Sequence, residues 1–196
     1  MKTVIFDLGG VVVARNPQKT TEKFREFFSF LADKQMPLFW EEYDRGTQTI
    51  DETIDIISEL RGYDRCYCRD TVHDAINMQE AIEPTAKLIE ELHERGYQLL
   101  VLSNMSLEFI QFIRQLPIYR FFSGEVVSCE EGTVKPEPEI FRILIERYNI
   151  DPSQALFVDD RVANLEAAAA QGINTVLFKR WEAEESCNVI RTMLYI

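Results

Sequence analysis

Thr3-Val4-Ile5-Phe6-Asp7-Leu8-Gly9-Gly10 is the stretch that decides the fold. An apolar run carries a single carboxylate and stops at two glycines. That is the pattern of a fully buried strand ending in a turn. Similar runs recur later: Leu99-Leu-Val-Leu before Ser103-Asn104, Glu125-Val-Val-Ser, Leu156-Phe-Val-Asp159 before Asp160, and Thr175-Val-Leu-Phe. Helical stretches separate them. Residues 84–95 repeat Ala86, Leu88, Ile89 and Leu92 and close at Gly96. Residues 106–115, 138–148 and the alanine-rich 162–171 follow, and the last fifteen residues read as helix. Strand and helix therefore alternate after residue 83. The expected fold class is α/β, a Rossmann-like parallel sheet with helices on both faces.

Between the first strand and residue 83 the pattern is helical only. Residues 18–33 carry Phe24, Phe27, Phe28 and Leu31 at helical spacing, and residues 37–44, 50–60 and 69–80 continue as helices. This reads as an inserted α-helical cap over residues 16–82. Residues 1–15 and 83–196 form the core, and linkers lie near Arg15–Pro17 and Ile82–Pro84. A length of 196 residues suits one core carrying such an insert. Phe24, Phe27, Phe28, Phe39 and Trp40 are expected to fill the cap interior.

Composition narrows the function. A formal net charge of −12 disfavours nucleic acid as a partner. It also means that an anionic small molecule would need a local cation to bind. No stretch approaches the ~20 apolar residues of a membrane span. Asp7 and the glycines interrupt the apolar N-terminus, so no secretory leader is expected and the protein is read as cytoplasmic. The four cysteines are spaced unlike a zinc site, and two histidines supply a Ser-His-Asp triad poorly.

Three apolar strands end in polar residues: Asp7, then Ser103-Asn104, then Asp159-Asp160. Open parallel sheets bind ligands at the carboxyl edge of their strands. Carboxylates brought together there repel one another unless a cation lies between them. An oxygen-rich cluster of this kind suits Mg²⁺ with a phosphate-bearing substrate. Lys135, before Pro136, is expected in an extended turn that reaches the rim. Asn164, four residues after Asp160, is placed to orient Asp160 or Lys135.

The ordered set Asp7-x-Gly9-Gly10-Val11, Leu102-Ser103-Asn104, Lys135-Pro136 and Val158-Asp159-Asp160-x-x-x-Asn164 resembles the haloacid-dehalogenase-like superfamily, in its branch with a helical cap after the first strand. Tyr43-Asp-Arg-Gly-Thr-Gln-Thr-Ile resembles the cap turn of the bacterial glucose-1-phosphate phosphatases. The resemblance implies a Mg²⁺-dependent phosphatase of a small phosphate ester such as a sugar phosphate. Asp7 would be the nucleophile, forming an aspartyl-phosphate. Asp7, the carbonyl of Gly9, and Asp160 would hold the metal, with Asp159 beside them. Ser103 and Asn104 would hydrogen-bond the phosphoryl oxygens or the nucleophile, and Lys135 would bind the phosphoryl group and stabilise its charge. Apart from the resemblance, Arg45 beside Gly46 is read either as a cap residue that contacts substrate or as a surface arginine in a turn. One departure stands out: phosphatases of this kind usually carry an acid/base Asp where this chain has Gly9. Losing that group costs ~10²–10⁴ in rate. The expectation is therefore a preference for good leaving groups, such as sugar 1-phosphates and acyl phosphates. Two rivals are a weak or inactive member that only binds a phosphorylated ligand or partner, and a dehalogenase whose nucleophile attacks carbon without a metal.

Overall fold

The structure, a computed structural model, describes residues 2–32 and 36–196. Five parallel strands form the sheet: β1 (Thr3–Phe6), β4 (Gln98–Ser103), β5 (Gly124–Val127), β6 (Ala155–Asp159) and β7 (Asn174–Leu177). Their spatial order is β5-β4-β1-β6-β7. The first strand in sequence is thus the central one, flanked by β4 and β6. Successive side chains leave a strand on opposite faces, and the two cores follow that period. Val4, Phe6, Leu99, Val101, Leu156 and Val158 pack on one face under α5 (Glu83–Glu94), α6 (Leu107–Ile113) and α10 (Ala183–Leu194). Ile5, Leu100, Leu102 and Phe157 pack on the other with α8 (Pro138–Arg147) and α9 (Val162–Ala170). Both faces are covered, which is why the strands read as continuous apolar runs.

Among the described residues between 22 and 77 the regular elements are all helices, in shorter pieces than the spacing indicated. The stretch 18–33 forms a 3₁₀ turn at Pro17–Lys19, α1 (Glu22–Phe27) and a second 3₁₀ turn at Ser29–Ala32; residue 33 lies outside the described residues. The Thr21 hydroxyl accepts from the Phe24 N–H and starts α1. Then come α2 (Leu38–Arg45), α3 (Ile50–Arg61) and α4 (Arg65–Asn77). Asp64 caps α4 through the N–H groups of Cys66 and Tyr67, so that helix begins four residues earlier than its apolar spacing indicated. Phe24, Phe27, Phe28 and Trp40 are buried together, joined by Phe109 from α6. Phe39 is only half-buried.

The linkers hold a feature the sequence did not announce. β2 (Val13–Arg15) pairs antiparallel with β3 (Gln79–Ala81), Val13 opposite Ala81 and Arg15 opposite Gln79. This ribbon ties the entrance of the helical segment to its exit. Residues 79 and 80, expected to end a helix, belong to it instead.

Candidate active site

Asp7 follows β1 directly, and its N–H donates to the Val158 carbonyl at 2.9 Å, which fixes it level with the end of β6. Ser103 ends β4 and Asp159 ends β6. Because β1 lies between those strands, the three tips converge. The Ser103 hydroxyl donates to Asp7 Oδ1 at 2.9 Å. Lys135 enters from the loop before α8 and is only 4% exposed. Its ammonium donates to Asp7 Oδ1 at 2.9 Å, Asp159 Oδ2 at 2.7 Å and the Leu102 carbonyl at 2.8 Å, which uses all three of its protons. Burial works against that charge, but Asp159 and Asp7 outweigh it and hold the lysine above its ordinary value.

Asn104 and Asn164 make hydrogen bonds within the protein that sequence spacing did not indicate. Asn104 clamps the backbone of Lys135 from both sides, donating to its carbonyl at 2.8 Å and accepting from its N–H at 2.7 Å. Its side chain thus positions the lysine. Asn164 donates to both oxygens of Asp159, at 3.1 Å each, rather than to Asp160 or Lys135. The Arg161 N–H adds a bond to Asp159 Oδ1 at 2.8 Å. Asp159 is therefore fully buried and surrounded by donors.

Asp160 differs. It faces a cleft that it shares with Asp7, Gly9 and Lys135. Ligand atoms of Asp7, Asp159 and Asp160 all lie within 4.8 Å of one another. Desolvation, then the charges of Asp7 and Asp159, push Asp160 up to about 7. Asp7 is likewise raised above its ordinary value, by burial first and by Asp159, with Lys135 and Ser103 opposing. One lysine thus bonds two buried carboxylates, and among the described residues no cation is hydrogen-bonded to the third, Asp160, which Lys135 and Arg161 favour only at longer range. The backbone makes room for that third group. Gly10 has φ +82°, and a Cβ there would lie 2.5 Å from Asp160 Oδ2. A hard divalent cation fits this all-oxygen donor set. Lys135 does not take its place, because the ammonium sits between Asp7 and Asp159, leaving the Asp160 side free.

Gly9 has ordinary φ, and a Cβ there would meet only Met105 Cε, at 4.0 Å. An acidic side chain at this position is therefore geometrically admissible and simply absent.

Two cavities open on the rim, of about 690 and 780 Å³, and both include Gly9, Asp44, Asn104, Asp160 and Arg161. Arg45 lines neither. Its guanidinium makes a forked pair with Glu137, at 2.7 and 2.9 Å, and meets Glu41 at 2.9 Å. The neighbouring Asp44 faces the cavities instead. Sequence reasoning passed over it, although a signal was there: Trp40, Tyr43 and Asp44 share one helical face by their i, i+3, i+4 spacing. Trp40 and Tyr43 are buried, so Asp44 had to turn inward with them.

Acidic strand tips crowd around a buried lysine on the carboxyl edge of a parallel sheet, the edge where open α/β folds bind their ligands. The chain belongs to the haloacid dehalogenase-like hydrolase family, whose model matches residues 1–172. It is 38% identical over 95 residues to acyl-CoA dehydrogenase family member 10 of Mus musculus, a match covering 48% of this chain but only 9% of that much longer protein. It is 24% identical to the D-ribitol-5-phosphate phosphatase of Bacteroides thetaiotaomicron, across 89% of this chain and 90% of that one. Among solved structures it resembles a haloacid-dehalogenase-family enzyme from the same bacterium, in complex with magnesium and inorganic phosphate. There the TM-score is 0.74 and the identity 25%, with 93% of this chain and 96% of that one covered.

Proposed function

We propose that this protein is a Mg²⁺-dependent phosphatase of a small phosphorylated metabolite, a sugar or sugar-alcohol phosphate, with Asp7 as nucleophile. The observation that carries the reading is the crowding of Asp7 and Asp160 at one rim, where Lys135 answers for Asp7 and Asp159 but not for Asp160. In this reading Asp7, the Gly9 carbonyl and Asp160 hold the ion, and Asp159 contributes by anchoring Lys135. The bound cation supplies charge neutralisation, letting an anionic phosphate approach acidic side chains. Asp7 attacks phosphorus and takes the phosphoryl group as an aspartyl-phosphate. Ser103 fixes the carboxylate's orientation, and Lys135 offsets negative charge developing beside it. The helical segment, residues 16–82, serves as a cap that screens the rim from water. The relatives named for phosphatase activity and for magnesium support this reading.

A dehalogenase fits less well. Asp44 and Asp160 in the cleft would repel a haloacid carboxylate. No helix among the described residues is long and apolar enough to cross a membrane. All four cysteines are unpaired, which supports residence in the reducing cytoplasm. A panel of phosphate esters and haloacids, assayed with Mg²⁺ and again with EDTA, tests the proposal. Metal-dependent release of phosphate is expected, falling roughly 10⁴-fold in Asp7→Asn. Ligand binding without turnover would favour the binding-only reading that Gly9 raises, and halide release without metal would favour the dehalogenase.

A further inference from the structure

Gly9 leaves the expected acid position without a proton donor, yet the cleft is not short of acids. Asp44, at the end of α2, lines both cavities together with Gly9 and Asp160, and one of them also with Asp7 and Lys135. It comes from the helical segment, whereas Asp7 and Asp160 follow strands of the sheet. Its backbone is held there by the core. The Ser128 hydroxyl donates to the Asp44 carbonyl and itself accepts from the Met105 N–H at 2.9 Å. On one side of Asp44, the Tyr43 hydroxyl donates to Glu108 at 2.8 Å. On the other, Arg45 forks onto Glu137. Gly46 (φ +80°) lies so close to the Cys129 backbone that a Cβ there would collide with it. Four consecutive residues, 43 to 46, are thus fastened to the core around one carboxyl that is turned into the cleft.

We infer that Asp44 is the general acid and base of the reaction, delivered by the helical segment in place of the missing group at Gly9. This rests on the phosphatase reading above. As Asp7 oxygen bonds to phosphorus, the ester P–O bond breaks. The leaving oxygen keeps the electron pair and takes the Asp44 proton, giving an alcohol, an aspartyl-phosphate and an Asp44 carboxylate. A water oxygen then bonds to phosphorus, its proton passes to Asp44, and the Asp7–phosphorus pair returns to Asp7 as inorganic phosphate forms. Both groups end as they began.

The electrostatics agree with this. Desolvation, with Asp7 and Glu41 adding, pushes Asp44 up to about 7, while Arg161 and the Ser106 N–H pull the other way. An acid titrating near the working pH is suited to both halves of the cycle. The role also lifts the restriction that Gly9 alone implies, because poor leaving groups such as primary sugar phosphates become substrates.

Leaving-group dependence tests the inference. Asp44→Asn and wild type are compared on p-nitrophenyl phosphate, whose leaving group needs no proton, and on a primary sugar phosphate, whose leaving group does. A loss of roughly 10²–10⁴-fold in the rate of aspartyl-phosphate formation is expected on the sugar phosphate, whereas the stoichiometric burst of p-nitrophenol should keep its wild-type rate to within about threefold, and only the later steady-state turnover, which needs the base, should fall. The retained burst also shows that the variant is folded and that its metal and nucleophile are intact. Gly9→Asp, added to Asp44→Asn, should restore sugar-phosphate turnover at least about tenfold, since the space at Gly9 is open. Equal losses on both substrates in the burst step, or no loss on the sugar phosphate, would overturn the role of Asp44 while leaving the phosphatase reading standing. Absence of Mg²⁺-dependent turnover of either substrate by wild type would overturn both.

Discussion

Asp159 and Asp160 are neighbours in sequence and opposites in situation. Asp159 is fully buried and accepts hydrogen bonds from Lys135, Asn164 and the Arg161 N–H. Asp160 looks into the cleft, pushed up to about 7 by desolvation and by the charges of Asp7 and Asp159. The rim thus has an inner half whose charges are matched by the protein and an outer half whose charges are not. A matched buried charge is scaffold. An unmatched one beside a cavity marks where a cation and a substrate go.

The largest expected effect lies in the inner half. Lys135→Met leaves Asp7 and Asp159 buried without their shared cation, and should cost about 3–5 kcal/mol in a denaturant titration. A loss below about 1 kcal/mol would mean that the inner half is not matched as described. Asp159→Asn sharpens the contrast with its neighbour. It should cost about 1.5–3 kcal/mol, the worth of hydrogen bonds to a charged group. Asp160→Asn should leave the metal-free protein no less stable, because it removes a carboxylate whose charge Asp7 and Asp159 disfavour. Their order reverses for metal. Saturating Mg²⁺ should stabilise wild type, by about 2.7 kcal/mol at a hundred times Kd. Asp160→Asn should lose that gain, and Asp159→Asn should keep most of it. Thermal melts with Mg²⁺ and with EDTA read both effects.

A further effect is the pH dependence of the metal-free protein. Asp44 titrates at about 7 in the folded chain, against an ordinary value of 3.8. Between those values the folded state holds a proton that the unfolded state has lost. Its contribution is therefore greatest at the acidic end and declines as pH rises from about 4 to about 7. Asp44→Asn removes that component, so its melting temperature should fall less than that of wild type between about pH 5 and about pH 8. A steeper fall in the variant would contradict the sign.

How much of this could be read from sequence depended on what fixes each residue. Asp7, Ser103 and Asp159 are placed by strand ends, and strands that are apolar throughout announce themselves. Lys135 was legible because Pro136 kept it out of the following helix. The β2–β3 ribbon was not legible, because Val-Ala-Arg and Gln-Glu-Ala are too short and too mixed to show a period. Asn164 goes to Asp159 and not to Asp160, a choice that depends on how α9 meets β6. Arg45 drew attention as a cation beside a glycine, but Glu137, 92 residues away in sequence, claims it. Asp44 then faces the cleft in its place. Contacts of that range leave no local pattern, and the helical face shared with Trp40 and Tyr43 was the one local clue.

The proposed nucleophile, Asp7, can be tested by trapping. The tryptic peptide Thr3–Arg15 contains Asp7 as its only acidic side chain. Protein mixed with p-nitrophenyl phosphate and Mg²⁺, quenched in acid and digested, should carry a hydroxylamine-sensitive phosphate on that peptide and lose it when EDTA is added beforehand. A phosphate found on another peptide, or steady turnover with none trapped on this one, would contradict Asp7 as the group that attacks phosphorus.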